Sequence, residues 1–504
     1  MKTARVTPIF KEGSKTNVEN YRPISILNSF SKVYEKLMHN RLSNFLESNN
    51  SIYESQYGFR SGRSCEHALL NAQNLLLESL SKRQVSILLL IDFSKAFDLV
   101  EHEILLKKLE HYGIRGPAYK WLESYLSNRK QYVSINGAES TSLTVEHGVP
   151  QGSILGPLLF IIYINDIPEI SESAKFILYA DDANIIITAD TIEQASEQIQ
   201  KLTKNLVQWV NSNGLVFNLK KTKYMIFSQA RNIELSEPLI ILDTPIERKS
   251  EARFLGVIMD DKLNWSRHIK TVESKMARYV GILYKIKKYL ALHARIQVYH
   301  SFVQSHINFC SLVWGFSSKN NIESLFCKQK KGLRAVIPGF INYRYRAGDI
   351  PGHTKFYFSE YNILTVHNTI VLNTLVFMEK IHKYARLLPL TIVKTISDDS
   401  PVPGSTHESC ENWLKIYNFR YHSSVFYKGP LLFADSEINE NLPPASNLNI
   451  KTYRAKLKLL LLNLQSSGDP CEWQNDNFPL YNIKGLRKSE ATYRSKINYV
   501  DQLN

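Results

Sequence analysis

Apolar residues along the first 260 positions alternate between two spacings. Phe30, Val33, Tyr34, Leu37, Met38, Leu42, Phe45 and Leu46 recur every three or four positions, which predicts a helix over 30–47. Residues 64–80 predict a second helix, with Ser64 as its N-cap. SILLLIDF at 86–93 is a continuous apolar run, the pattern of a strand covered on both faces. Residues 103–112 and 117–127 read as helices, the second opened by Pro117. A hairpin is predicted over 132–149, turning near Asn136-Gly137, then a buried helix over 153–166 and an amphipathic one over 191–213. FILYADDANIIIT at 176–188 holds two β-rich runs that meet at Ala180-Asp181-Asp182. Aspartate is disfavoured in strands and favoured in turns, so these residues predict a tight hairpin tip. Strand pairs are expected near 215–228 and 252–258. From about 262 the pattern is mostly helical, and 341–504 is less patterned, with a loop or linker at 397–406.

Composition changes this picture little. Of 504 residues, 44% are hydrophobic and 22% charged, which excludes a wholly disordered or fibrous chain. Cysteines at 65, 310, 327, 410 and 471 form neither a C-x-x-C pair nor a zinc knuckle, so reduced thiols and a nuclear or cytoplasmic, non-secreted location are expected. The longest apolar runs are too short to cross a bilayer, so no membrane partner is expected.

Charge changes it more. Lys and Arg number 62 against 47 Asp and Glu, a formal charge of +15, which points to a polyanionic partner. Residues 262–334 alone hold ten Lys and four Arg against two Glu, so most of the surplus lies in one segment. There Ile269, Val272, Met276, Tyr279, Leu283, Ile286 and Leu290 trace an apolar stripe. Arg267, Lys270, Arg278, Lys285 and Lys288 fall on another stripe of the same predicted helix, a candidate surface for backbone phosphates.

The candidate chemistry begins with acids at strand ends. Asp92 closes one apolar run, and Asp181 and Asp182 sit at a hairpin tip after another. A carboxylate there is costly unless something positive compensates it. Two such sites brought together would hold hard divalent cations through oxygen, Mg²⁺ first among them. Paired aspartates with two ions suit in-line phosphoryl transfer.

Further segments follow in a definite order: PIFKEGSKTNVENYRPISILN (8–28), SQYGFRSGRSCEHAL (55–69), IDFSKAFDLV (91–100), VPQGSILGPLLF (149–160), the tyrosine-Ala-Asp-Asp box at 179–182, NLKKTKYMIF (218–227) and RFLGVIMDDKLNW (253–265). Taken together they resemble the reverse transcriptase of non-LTR, LINE-type, jockey-like retrotransposons, and SSVFYKGPLLFADSEINENLPPASNLNIKTYRAKLKLLL (423–461) resembles that family's C-terminal end.

The resemblance implies an α+β right-hand polymerase with an antiparallel palm sheet and a mostly helical C-terminal region. Fingers and palm would occupy 1–260 and a basic helical thumb 261–340, leaving 341–504 without a clear role. The implied activity is RNA-directed DNA polymerisation, with an RNA template, a DNA primer or nicked target DNA, and deoxynucleoside triphosphates as partners. Two Mg²⁺ ions are implied, with Mn²⁺ as an alternative. Asp92, Asp181 and the carbonyl of Phe93 would be metal ligands, Asp182 their support and Lys221 the acid for the leaving pyrophosphate, with Lys220 and Lys223 as rivals. Lys11 and Arg22 would clamp the triphosphate, Phe97 would exclude a 2′-hydroxyl, and Gln151 with Gly152 would contact the nucleotide. Leu255 and Gly256 match the primer-grip turn, and Arg60 and Arg63 template-facing residues. No target-nicking endonuclease, nucleic-acid knuckle or ribonuclease H quartet is recognised. The reading is therefore a shortened copy that would take its nick from another protein. Another palm polymerase, or an inactive nucleic-acid-binding remnant, are the alternative readings.

Overall fold

The computed structural model describes residues 2–230, 233–337, 355–384 and 449–467. Residues 397–406 and 423–448 lie outside them. The chain divides into two compact units, one of residues 1–68 and 83–250, the other of 69–82 and 251–504.

The first unit is built on two sheets. In one, β1 (Thr3–Phe10) pairs antiparallel with β2 (Tyr21–Ile26) and parallel with β4 (Arg129–Ile135), and β4 carries the short strands β5 (Ala138–Glu139) and β6 (Leu143–Val145). The turn from β4 to β5 is Asn136-Gly137, both at positive φ (51° and 87°). That geometry matches the twist of a two-residue hairpin.

The second sheet runs β12-β9-β3-β8-β7, with β3 (Val85–Ile91) at its centre. All seven residues of β3 are buried, as a run apolar on both faces requires. β8 (Asp182–Ala189) and β9 (Lys223–Phe227) flank β3 antiparallel, and β7 (Lys175–Tyr179) completes the hairpin with β8. At the far edge, after the small hairpin β10 (Ile240–Ile241) and β11 (Thr244–Pro245), β12 (Glu247–Arg248) joins β9 in parallel, so the sheet is not wholly antiparallel. The strand pair expected at 215–228 is a single strand: residues 215–222 make one bridge, Phe217 to Phe93, and a turn, and β9 takes β3 as its partner.

Helices pack around this sheet. α6 (Ile192–Ser212), capped by the Thr191 hydroxyl, buries Ile199, Leu202 and Leu206 in the core that also holds Ile87, Leu89 and Ile91. α5 (Gly156–Tyr163) is buried along its length but shorter than expected; its end continues into a 3₁₀ turn at Ile167–Ile170. α3 (His102–His111) and α4 (Gly116–Leu126) lie as predicted.

α1 (Ser29–Ser48) forms where its periodicity requires, yet its apolar face is mostly turned outward. Phe30 is 70% exposed and Leu37 56%, while Glu35 is buried. The Glu35 carboxylate accepts the Ile154 N–H at 2.6 Å, and that bond fixes which side of α1 faces in.

The second unit is mostly helical. It takes in most of α2 (Cys65–Ser81), which Ser64 caps at the His67 N–H. Its larger segment starts at Glu251, where the hairpin β13 (Glu251–Phe254) and β14 (Val257–Asp260) packs on α7 (Ser266–Ile286). The Asp260 carboxylate accepts the N–H groups of Lys262, Asn264 and Trp265, which shapes the turn into α7. α7 ends at Ile286, so Lys288 and Leu290 fall beyond it, Lys288 in the 3₁₀ turn Lys287–Tyr289. α8 (Leu292–Tyr299), a π-helical stretch His300–Gln304, α9 (Ser305–Asn308), α10 (Ser311–Trp314) and α11 (Lys319–Val336) follow, then α12 (Lys355–Glu360), α13 (Val366–Tyr384) and α14 (Ile450–Ser467). No helix among the described residues is long and apolar enough to cross a membrane.

Candidate active site

Pairing in the second sheet decides where the acids go. Ile91 lies opposite Ala183, so Asp92 leaves β3 at the same end where Asp182 begins β8. Asp182 also faces Tyr179 across the hairpin, and Asp181 stands at the tip between them. Ala180 makes the turn at φ 54°. Residues separated by ninety positions are thus brought to one end of three adjacent strands.

The electrostatics register that convergence. Burial, and then Asp92, push the Asp181 carboxyl above the usual carboxylate range, against the pull of Arg22 and Lys11. Asp182 heads β8 with one side open to solvent. Its carboxyl is pushed up to about 6, first by burial and then by Asp181 and Asp92, with Lys221 and Lys11 opposing.

Asp92 is held from the other side. Asn218 Nδ2 donates to its Oδ2 at 2.7 Å, and Lys221 Nζ lies 3.8 Å from the same oxygen. Of the three lysines in NLKKTKYMIF, Lys221 is the one paired with this acid; Lys223 is a strand residue opposite Leu90. The Asp92 carbonyl accepts the Asn218 N–H, whereas Phe93 is buried and stacks on Phe217.

A cleft of about 1490 Å³ opens onto this end of the sheet. Lys11, Arg22, Asp92, Phe93, Phe97, Gln151, Asp181 and Lys221 all line it. Lys11 and Arg22 are exposed at the loop end of the β1–β2 hairpin. Phe97 is half-buried, its ring stacked on Phe160 (4.4 Å between centroids) and edge-on to Phe59. Gln151 Nε2 donates to Asp98 Oδ1 at 2.9 Å, and its carbonyl accepts the Ser25 N–H. Gly152 has φ +115°, and a Cβ there would stand 2.7 Å from the Ser25 carbonyl oxygen, so the turn needs glycine.

Three contributors escaped the sequence reading. Asp98 orients Gln151 and is itself raised by burial, with the Gln151 bond lowering it. Asn218 orients Asp92. Gln56 shapes the hairpin tip: its Oε1 accepts from Ala180 and Gly58, while Tyr57 and Ser55 bond Leu178. A Cβ on Gly58 would lie 2.5 Å from the Ala180 nitrogen. The Gln-Tyr-Gly run was the available signal, although nothing in it names β7 as its neighbour.

Two residues expected to face a template are engaged within the fold. Arg60 is buried and committed to a two-toothed ion pair with Glu47 (2.9 and 2.7 Å) and to the Tyr53 carbonyl, so it is not free to face a template. Arg63 donates to the Glu54 carbonyl and lies over the Tyr57 ring. Both arginines fix the 53–63 loop. Leu255 and Gly256, at φ 45° and 88°, form the β13–β14 turn of the second unit. Arg267, Lys270, Arg278, Lys285 and Lys288 are all exposed there, Arg267 pairing with Glu251.

Among the described residues no group of three or more His, Cys, Asp or Glu side chains is spaced to hold an ion unaided. The donor set nonetheless suits Mg²⁺: carboxylate oxygens only, mutually repelling, open to a cleft. Mg²⁺ commonly binds through one or two carboxylates and completes its shell with water and substrate phosphates.

A central strand and a neighbouring hairpin that bring two aspartates into a basic-rimmed cleft, with a third at the head of the next strand, define the palm of a right-hand polymerase. Residues 10–259 match the model of the family described as reverse transcriptase (RNA-dependent DNA polymerase), and they form a reverse transcriptase domain. The probable RNA-directed DNA polymerase from transposon BS of Drosophila melanogaster is 28% identical over 66% of this chain and 38% of its own length. Those from the X-element and from mobile element jockey, of the same fly, are each 29% identical, over 63% and 66% of this chain. The chain spans 35% and 37% of the lengths of those two. Among solved structures, apo telomerase from Candida tropicalis overlaps with a TM-score of 0.40 at 13% identity, covering 83% of this chain and 69% of that one, too little to add to the assignment.

Proposed function

We propose that the chain is the RNA-directed DNA polymerase of a mobile element, adding deoxynucleotides to a primer 3′-hydroxyl on an RNA template. The single observation that carries this is the convergence of Asp92, Asp181 and Asp182 beside a cleft rimmed by Lys11, Arg22 and Lys221. Fingers are assigned to the β1–β2–β4 sheet with α1, palm to the β3-centred sheet, and thumb to the basic helical segment from 261 to 340.

Lys11 and Arg22 hold the triphosphate, Lys as a point charge and Arg as a two-pronged donor. Phe97 lies beneath the sugar and leaves no room for a 2′-hydroxyl. Gln151, aimed by Asp98, meets the nucleotide. Asp92, Asp181 and Asp182 would hold Mg²⁺, which supplies activation of the attacking hydroxyl and neutralisation of the leaving pyrophosphate. The hydroxyl gives up its proton to solvent and attacks the α-phosphate in line, the bond from the α-phosphorus to the oxygen bridging the β-phosphate breaks, and Lys221 gives a proton to the departing pyrophosphate.

Primer extension on an RNA template with Mg²⁺ tests this reading. Asp181→Ala is expected to lower extension by about 10³-fold or more while template affinity is kept. Equal loss of both would mean that Asp181 only holds the fold, and preference for ribonucleotides would replace this reading with another palm polymerase.

A further inference from the structure

The second unit carries a surface that phosphate contacts alone do not account for. Along α7, Lys275, Arg278, Ile282 and Lys285 fall three, four and seven positions apart and form one exposed face. Aromatic rings flank and end it. Tyr279 stacks on Phe302 (4.9 Å between centroids, 28° between planes) and on His306 (5.6 Å, 24°). Tyr289, just past the helix, is 76% exposed, with Lys288 over its ring at 4.7 Å.

Phe302 is 45% exposed and sits in the π-helical stretch His300–Gln304. Such stretches are rare and are often found at functional sites. Partial burial, and then Lys275, keep His306 below its ordinary value, which favours its uncharged ring as a stacking surface.

We infer that this face binds unpaired nucleic acid, with bases stacking on the exposed faces of Phe302 and Tyr289 and phosphates on Lys275, Arg278 and Lys285. The inference rests on the nucleic-acid role proposed above for this segment and adds what kind of strand it takes. Charge complementarity commits the occupant: residues 262–334 hold fourteen Lys and Arg against two Glu. A protein interface would be depleted in lysine. A duplex offers backbone but no free base faces, whereas stacking rings interleaved with cations are how proteins hold single strands without sequence preference.

The test uses the full chain and fluorescence anisotropy with a labelled oligothymidylate strand, an abasic strand of the same length, and a duplex. The thymidylate strand is expected to bind more tightly than both others. Tyr289→Ala and Phe302→Ala each weaken it by roughly tenfold, within the range known for base–aromatic stacking, and leave the salt dependence unchanged. Tyr289→Phe keeps the affinity, and the abasic strand does not distinguish the variants.

Tyr289 touches no core, so its variants decide the matter even where Phe302→Ala unfolds. Equal binding of abasic and thymidylate strands, preference for the duplex, or an unaffected Tyr289→Ala each overturns the inference. Extension by the unmutated chain is measured in parallel. If it is present while the rings prove irrelevant, only the single-strand assignment falls; if it is absent, the polymerase reading falls by itself.

Discussion

The cleft and the α7 face each gather like charges, and they do so under opposite conditions. At the cleft, Asp92, Asp181 and Asp182 stand on strand ends, the first two partly buried, and are fixed by Asn218, the hairpin tip and Gln56. On α7, Lys275, Arg278 and Lys285 extend from a helix into water. Fixed, half-desolvated acids repel strongly and call for a small cation that reaches all of them. Solvated cations on long stems repel weakly and suit a long polyanion that displaces counterions. The difference teaches that rigidity and dehydration, more than charge number, mark where chemistry is sited and where binding is.

The strongest way to break this contrast is to disturb the rigid side. Gly152→Ala places a Cβ against the Ser25 carbonyl at a positive φ, so the Gln151 turn must shift. Extension is expected to fall by about 10²-fold with the fold retained, measured by single-turnover kinetics and circular dichroism. On the compliant side, Arg278→Gln with Lys285→Gln should weaken RNA-template binding by roughly tenfold and reduce the slope of log affinity against log salt by about 1.4, at ~0.7 per phosphate lost. An unchanged slope would remove both residues from the contact surface.

His268 sharpens the comparison from within the helical unit, because its one partner, the Ile258 N–H donated to Nδ1, favours the uncharged ring and does not offset its burial. Burial, and then Lys275 and Arg253, bring it down to about 4, and its Nε2 has no hydrogen-bond partner. The native state therefore binds fewer protons than the unfolded one. Its stability contribution is full above the ordinary 6.5 and is lost as pH falls towards 4, at on the order of 1 kcal/mol per pH unit. Urea denaturation from pH 7 to 4 should show that slope in the parent and not in His268→Phe. Smaller still, Asp182→Asn relieves repulsion among the acids and should raise the melting temperature in EDTA by about 2–4 °C. Gly281→Ala, on the exposed side of α7 with open space around it, should stabilise by no more than about 1 kcal/mol.

Local rules carried the sequence reading far. Helices α1, α3, α4 and α6, the buried β3 and the Asp181-Asp182 tip follow from periodicity and turn chemistry, and the motif order pointed to the cleft residues. What escaped depends on which neighbour an element meets. The apolar stripe of α1 specified a helix, but the Glu35–Ile154 bond decided that Phe30 and Leu37 face out. Arg60 reads as a free cation until Glu47 is seen beside it. Residues 215–222 have strand composition, yet β9 is already paired with β3 and β12. Asp98, Asn218 and Gln56 act by orienting other side chains, and no spacing rule reports that.

One join in the cleft constrains how such an enzyme can change. The Phe97 carbonyl accepts the Val149 N–H, and the adjacent Asp98 carboxylate holds the Gln151 amide. The ring proposed to face the sugar and the amide proposed to meet the nucleotide thus hang on the same two backbone segments. A laboratory selection for altered sugar use through position 97 should therefore return companion substitutions at 149–151, and variants relaxed for one kind of discrimination should drift in the other.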